Sequence, residues 1–313
     1  MLKEITNEEN DPLLIPINQQ LNNLLPNNKI VLSEVILPDS NSDSKLSDKI
    51  YQKFYSFPRY YDKAFSRDIK RDLVFFEQCF KQYSDIKVEC LLEPACGPGM
   101  FLEMFPKYGY SIVGYDLSPE MVNYAKEKLR ISGLTNEQVD ILEGDMRSMK
   151  FDKKFDAAFI CINSLGYLKS DEDISSHFRV MGESIKIGGI YIVEISCKCN
   201  NIINEKKLDD TWYIKGDDVE LELTWVINWY DEERRIRHVD FRMVIKENGE
   251  EILVEEEHEL RLWIFDEFKN FTNSNGFEIV GIYNQNYERI SKDIPITGEL
   301  GALFFILKNV GTN

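Results

Sequence analysis

Residues 91–100 read Leu91-Leu92-Glu93-Pro94-Ala95-Cys96-Gly97-Pro98-Gly99-Met100 (LLEPACGPGM). The apolar run VECLLE leads into this stretch, ends in an acid, and breaks into two glycines one residue apart. An amphipathic helical segment, MFLEMFPKYG, follows. The pattern is strand, tight turn, helix, and the fold depends on what the turn holds. A phosphate loop needs G-x-x-x-x-G-K-[S/T], and no lysine follows Gly99. A dinucleotide turn, G-x-G-x-x-G, places its third glycine at position 102, which is Leu102. Glu93 at the strand end would repel a pyrophosphate and attract a cation.

The next two strands complete the ligand. SIVGYDLSPEMV puts Asp116 at a strand end, where one carboxylate accepts both hydroxyls of a ribose. Ser118 caps the helix that follows, with Pro119 at its first position. In LEGDMRSM, Asp145 suits the exocyclic amine of adenine and Met146 its ring. A positive end, a ribose and an adenine without phosphate describe S-adenosylmethionine.

The run 88–195 accordingly resembles a class I S-adenosylmethionine-dependent methyltransferase. Glu93 with Ala95-Cys96-Gly97-Pro98-Gly99 matches the first motif, Asp116 the acid after the second strand, and Gly144-Asp145-Met146 the third motif. FDAAFICINSLGYL (155–168) matches the fourth strand, and IKIGGIYIVEIS the helix-turn-strand after it. Met100 stands where a third small residue often sits. The layout of SLGYLKSDEDISSHF, a late meander and EHELRLW resembles the small-molecule N-methyltransferases: the amino-sugar N,N-dimethyltransferases and, more distantly, glycine N-methyltransferase. The resemblance implies S-adenosylmethionine as cofactor. It implies Glu93, Ala95, Gly97, Gly99, Asp116, Leu117, Met121, Asp145, Met146 and Asn163 as the residues that hold it.

Around this core the chain has a clear order. Residues 1–48 are rich in Asn, Asp, Ser and Pro, and LPDSNSDSKLSD reads as a linker. Helices are expected near 47–56 and 67–83, the second with Ile69, Leu73, Phe76 and Phe80 on one face. Strands at 88–93, 111–115, 139–143, 155–161 and 189–195 then alternate with helices at 98–107, 118–131 and 172–185. That alternation means a parallel sheet covered on both faces. From 219 the pattern has period two: VELELTWVINW, RIRHVDFRMVIK and EILVEEEHELRLW, joined by short turns, form an antiparallel meander. The expected fold is α/β, a Rossmann-like, mostly parallel sheet of seven strands with an antiparallel last strand. Its divisions are an extension (1–48), the core with its N-terminal helices (49–200), the antiparallel insert (205–263) and the end of the core (264–313).

The net charge of −17 disfavours nucleic acid and anionic membranes as partners. Cys197-Lys-Cys199 has no second pair or nearby His to make a zinc site, so no metal is expected. The polar, acidic start MLKEITNEENDPLL is not a signal peptide, and no apolar run is long enough to span a bilayer. A reducing, cytoplasmic setting is the expectation.

For chemistry, candidates lie at strand ends and in the insert. Tyr61, in the Tyr60-Tyr61-Asp62 run read as a short loop, Tyr167 beyond the fourth strand, and His258 are the catalytic candidates. Ser164, Glu194, His238 and Arg242 are the acceptor-binding ones. His238, Asp240 and Arg242 share one strand face, read as a lid surface turned to the crevice mouth. His177 is read as a surface residue of its helix, and the acids 255–257 and 259 as a wet edge. Leu221, Leu223, Trp225, Ile227 and Trp229 form an apolar row to be buried against the core or a two-fold partner. No evident base stands near these groups, which favours a small-molecule amine acceptor. O-methylation of a phenol or alcohol, or cofactor binding without turnover, are the alternatives; a nicotinamide dehydrogenase is disfavoured by Leu102 and Glu93.

Overall fold

The computed structural model describes residues 52–198, 209–216, 218–291, 296 and 300–312. The extension at 1–48 and Cys199 lie outside them. Three helices open the described chain: α1 (Gln52–Tyr55), α2 (Pro58–Phe65) and α3 (Lys70–Tyr83). Tyr60-Tyr61-Asp62, expected on a loop, is therefore helical. Pro58 at the first position of α2 starts a helix rather than breaking one.

The core then runs β1 (Cys90–Pro94), α4 (Met100–Met104), β2 (Ser111–Asp116), α5 (Pro119–Ile131), β3 (Val139–Glu143), β4 (Phe155–Ile160), α6 (Asp171–Ser184) and β5 (Ile185–Lys198). The insert follows as β6 (Asp209–Lys215), β7 (Val219–Asp231), β8 (Ile236–Glu247) and β9 (Glu250–Arg261). The short β10 (Trp263–Ile264), α7 (Phe265–Ser274), β11 (Phe277–Tyr283) and β12 (Ala302–Asn309) close the chain.

The main sheet has the order β3-β2-β1-β4-β5-β12-β11, with β10 beside β5. The strand pairs from β3 to β5 are parallel, and β12 is antiparallel to both neighbours. The chain leaves β1 in one direction and returns to β4 on its other side. The strand order reverses there, so a crevice opens at the carboxyl ends of β1 and β4. Both faces of the sheet are covered by apolar clusters. One includes Phe76, Phe101, Phe105 and Phe159, the other Phe155, Phe178, Tyr191 and Phe305.

Leu102 shows how helix and sheet come together without a glycine in the helix. A Cβ on Gly114 of β2 would stand 2.6 Å from Leu102 Cδ1 and 2.9 Å from Cys96 Sγ. The glycine that permits the close approach is in the strand, and Leu102 fills its space. Met100 packs on the same cluster.

His177 is fully buried, not on the surface. Ile174, Phe178 and Met181 share its side of α6, and that face packs on the sheet. His177 Nε2 lies 2.9 Å from Tyr191 Oη and Nδ1 lies 3.0 Å from the Met146 carbonyl.

The insert is a four-stranded antiparallel sheet, β6-β7-β8-β9, one strand more than the pattern predicted. The opening Asp-Asp of β6 hides the strand in a charged stretch. Leu221, Leu223, Phe241, Met243, Ile245 and Val254 pack against Phe54, Tyr60 and Ala64 of α1 and α2. The apolar row is thus buried within the chain as far as Ile227. The β7–β8 register then shifts between Ile227 and Trp229. Trp229 turns outward, 53% exposed, and stacks on His238 at 3.6 Å. Among the described residues no helix is long and apolar enough to cross a membrane.

Candidate functional site

The glycine turn sits at the sheet's reversal point. Ala95, Gly97 and Gly99 have φ of 50°, 53° and 76°, in the left-handed region. Ala95 is a strained choice there, as is Ile162 (φ 55°) after β4. Two neighbouring strands thus end in left-handed turns at the crevice. Asp116 reaches across from β2: Oδ2 accepts the Gly97 N–H at 2.8 Å and Oδ1 the Ser118 N–H at 2.9 Å. Each oxygen keeps acceptor capacity for one hydroxyl more. Burial raises the Asp116 pKa, opposed by the N–H donors of Ser118, Gly97 and Leu117.

Glu93 is 5% exposed, and its buried Oε2 has no hydrogen-bond partner. Burial first, and then the charge of Asp116, push its pKa well above the carboxylate range. A buried carboxyl without a partner is costly. A cationic ligand against Glu93, with hydroxyls on Asp116 and a glycine turn free of side chains, relieves that cost. The residues present fit the amino-acid and ribose parts of S-adenosylmethionine.

The other expected cofactor contacts are arranged less uniformly. Asp145 is gripped by Arg147, whose Nε lies 3.0 and 2.9 Å from its two oxygens and whose N–H donates at 2.8 Å. Burial works to raise the Asp145 pKa, but these bonds hold it below its usual value. Met146 is half-buried on the core, and its carbonyl holds His177. Leu117 is 67% exposed beside Asp116, an apolar platform at the mouth, whereas Met121 is fully buried in α5. Asn163, also left-handed, accepts the Ser196 N–H at 3.3 Å.

An aromatic wall is built where α1, the turn after β4 and the inner face of the insert meet, and it is the candidate acceptor side. Tyr61 Cε1 is the nearest atom to a Cβ placed on Gly97, at 3.9 Å. Its ring centroid lies 5.8 Å from that of Tyr55. Tyr55 donates to Tyr167 Oη at 2.7 Å, and Tyr167 Oη is 3.3 Å from His258 Nδ1. Trp225 stacks on His258 at 5.4 Å. Tyr61, Tyr167 and His258 thus share one aromatic wall that begins at the glycine turn. Burial lowers the His258 pKa to about 4 and raises those of Tyr55 and Tyr61 well above 10.

The structure does not bring the other acceptor candidates to this wall. Arg242 lies on the opposite face of β8, near Glu222 and Glu255 at 3.7 Å. His238 shares that outer face, between Trp229 and Glu259. The inner, mostly apolar face is the one that meets the crevice helices, so the expected polar lid surface is overturned. Glu194 holds the turn after β4, accepting the Ile162 N–H at 2.9 Å and the Gln285 amide at 3.3 Å. Ser164 Oγ caps the Cys161 carbonyl at 2.9 Å.

Two residues were missed. Tyr55 has no sequence signal beyond its type. Glu256 was read as part of a wet edge, yet it is buried and accepts the Phe54 N–H at 2.9 Å. The signal existed: two residues from His258 on one strand, it shares the inner face. Glu255 and Glu257 do point to water.

Comparison with known proteins agrees with this geometry. Residues 91–189 match the family described as "Methyltransferase domain". The protein YqeM of Bacillus subtilis (strain 168) is 29% identical over 191 residues, 60% of this chain and 73% of YqeM. A dTDP-3-amino-3,4,6-trideoxy-alpha-D-glucopyranose N,N-dimethyltransferase of Streptomyces venezuelae is 33% identical over 104 residues, 33% of this chain and 41% of that enzyme. The crystal structure of an S-adenosylmethionine-dependent methyltransferase from Clostridium acetobutylicum superposes with a TM-score of 0.65 at 20% identity, covering 82% of this chain and 99% of that one. Motif and strand order agree in a class I S-adenosylmethionine-dependent methyltransferase domain matched at 91–189, in a chain that resembles the sugar N-methyltransferases.

Proposed function

We propose that the acceptor is an amine on a small molecule, with amino sugars as the leading class. The observation that carries this is the state of the acceptor wall. His258, buried on the inner face of β9, stays neutral above about pH 4, and the Tyr55 and Tyr61 hydroxyls keep their protons. Such groups do not generate a phenolate or alkoxide near neutral pH. An amine brings its own lone pair and needs only a neutral, dry, oriented site. The similarity to an amino-sugar N,N-dimethyltransferase supports the same class.

S-adenosylmethionine supplies an electrophilic methyl group when bound. Glu93, the 95–99 turn and Asp116 hold it. Tyr55, Tyr61 and Tyr167 exclude water and orient the amine, an entropic contribution of several kcal/mol. The methylated amine sheds its proton to water on release, because His258, held near pKa 4 by burial, is too weak a base to take it. The test is S-adenosylhomocysteine release across matched amines, phenols and alcohols. Turnover of amines is expected; turnover of phenols or alcohols alone overturns the reading. Substituting His258 with Phe removes the Tyr167 partner and is expected to raise KM for the amine a few-fold, with the dissociation constant for S-adenosylmethionine unchanged.

A further inference from the structure

The insert carries five arginines, and four have carboxylate partners: Arg234 with Asp231 and Glu259, Arg235 with Glu267, Arg242 with Glu222 and Glu255, and Arg261 with Asp171. The fifth is Arg237 of β8. It is 9% exposed, its Nε and Nη2 are buried with no hydrogen-bond partner, and no carboxylate among the described residues pairs with it. In a chain of net charge −17, acids are plentiful, yet none of the described ones is placed here. A buried guanidinium left without an anion is destabilising, and a bound oxyanion relieves that penalty. Burial lowers its pKa, partly offset by Tyr230.

Its position in the sheet gives this residue a use. Arg237 pairs with Leu260 on β9, and Val239, two residues along the same strand, pairs with His258. Arg237 and Val239 share the inner face, so Arg237 stands one rung from His258, roughly 7 Å along the strand. The neighbouring surface is apolar, with Ile227, Val239 and Leu260 packed beside Tyr167, Trp225 and Tyr230. A cation in such surroundings favours a bidentate bond to an oxyanion.

We propose that Arg237 binds an anionic group of the acceptor, a phosphate or a carboxylate, and so selects amines that carry such a group a few bonds from the nitrogen. This rests on the acceptor wall described above. The rung spacing sets the distance between anchored anion and reacting amine. Arg242, on the outer face, takes no part.

The experiment uses the full chain with Arg237→Gln and Arg237→Lys. Inorganic phosphate and acetate are titrated at constant ionic strength against chloride, with S-adenosylmethionine binding measured as the control for folding. Turnover is compared for glucosamine, glucosamine 6-phosphate and glucosaminic acid. Wild type is expected to bind phosphate or acetate at least about tenfold more tightly than Arg237→Gln, a loss of one charge-assisted contact. Arg237→Lys keeps the charge and is expected to fall between them; it serves alone if the Gln variant does not fold. The anion that binds identifies phosphate or carboxylate as the group. Equal anion binding by wild type and either folded variant overturns the proposal. Amine turnover with a KM insensitive to Arg237 also overturns it, and leaves the amine reading standing. Arg237-dependent anion binding with no turnover of any amine preserves the anion site and removes the amine reading.

Discussion

The proposed cofactor cradle rests on a few side chains, whose expected roles separate by charge and burial. Glu93→Gln removes a buried carboxyl that lacks a partner, so the apo protein is expected to hold or gain stability. Its affinity for S-adenosylmethionine is expected to fall about tenfold or more, since a charge-assisted bond contributes ~1.5–3 kcal/mol. Thermal melting and calorimetric titration read the two effects, and an unchanged affinity removes Glu93 from the site. Asp116→Ala is expected to weaken binding ~10–100-fold on the same grounds, although its loss also frees the Gly97 and Ser118 amides. At Gly114 the constraint is steric. A methyl group there stands 2.6 Å from Leu102 Cδ1 and 2.9 Å from Cys96 Sγ. Gly114→Ala is expected to cost ~1–3 kcal/mol by overpacking. Adding Leu102→Ala should recover part of it, as a double-mutant cycle in urea would show.

At the scale of elements, α2 is tied to the core by one buried ion pair. Lys128 Nζ of α5 lies 3.0 and 3.1 Å from the Asp62 oxygens, and Tyr124 donates to Asp62 at 3.1 Å. This anchor sits next to Tyr61 on the same helix. Lys128→Met leaves Asp62 buried without its cation, and is expected to cost about 3–5 kcal/mol. Pairing it with Asp62→Leu should restore much of the stability, because a well-packed apolar pair often equals a buried ion pair. Urea denaturation of the single and double variants measures both. A single variant as stable as the parent would show that the Asp62–Lys128 pair does not hold α2 to the core. The bulge in β7 works at the same scale. One register shift turns Trp229 to water while Leu221, Leu223 and Ile227 stay inside, as a period-two strand requires.

For the whole molecule, pH acts through two buried histidines in separate parts of the fold. His177 locks the loop after β3 to β5, and His258 faces the acceptor wall; burial lowers both pKa values from 6.5 to about 4. At pH 7 both are neutral, folded or unfolded, and neither affects stability through protonation. As pH falls below 6.5, the unfolded chain binds protons that the folded one refuses. Stability is lost until the folded-state pKa near 4, up to ~3 kcal/mol for each histidine. Glu93 and Asp116, with raised pKa values, act in the opposite sense, so the comparison must be with a variant. The stability of His177→Phe relative to the parent is expected to rise as pH falls from 6.5 to 4.5. A difference that does not change with pH would show that His177 does not titrate below its normal range.

The sequence by itself determined the order of strands and helices from β1 to β5 and the acids at their ends. Both are local properties: period two, period 3.6, and a glycine turn that admits a cation but no pyrophosphate. The positions of Glu93 and Asp116 at the crevice were legible because a strand end in an alternating sheet points there whatever the packing. The tertiary structure alone decided which face of the insert meets that crevice. Alternation divides a strand into two faces and is silent on which is inward, so His238 and Arg242 were expected at the crevice, whereas Arg237 and Val239 occupy the inner face of β8 and His238 and Arg242 the outer one. It also decided that Tyr55 and Tyr167, far apart in the chain, share a hydrogen bond. The room for Leu102 likewise comes from Gly114 on another strand. Each of these is a contact between distant segments, set by how elements pack and not by the residues beside them in the chain.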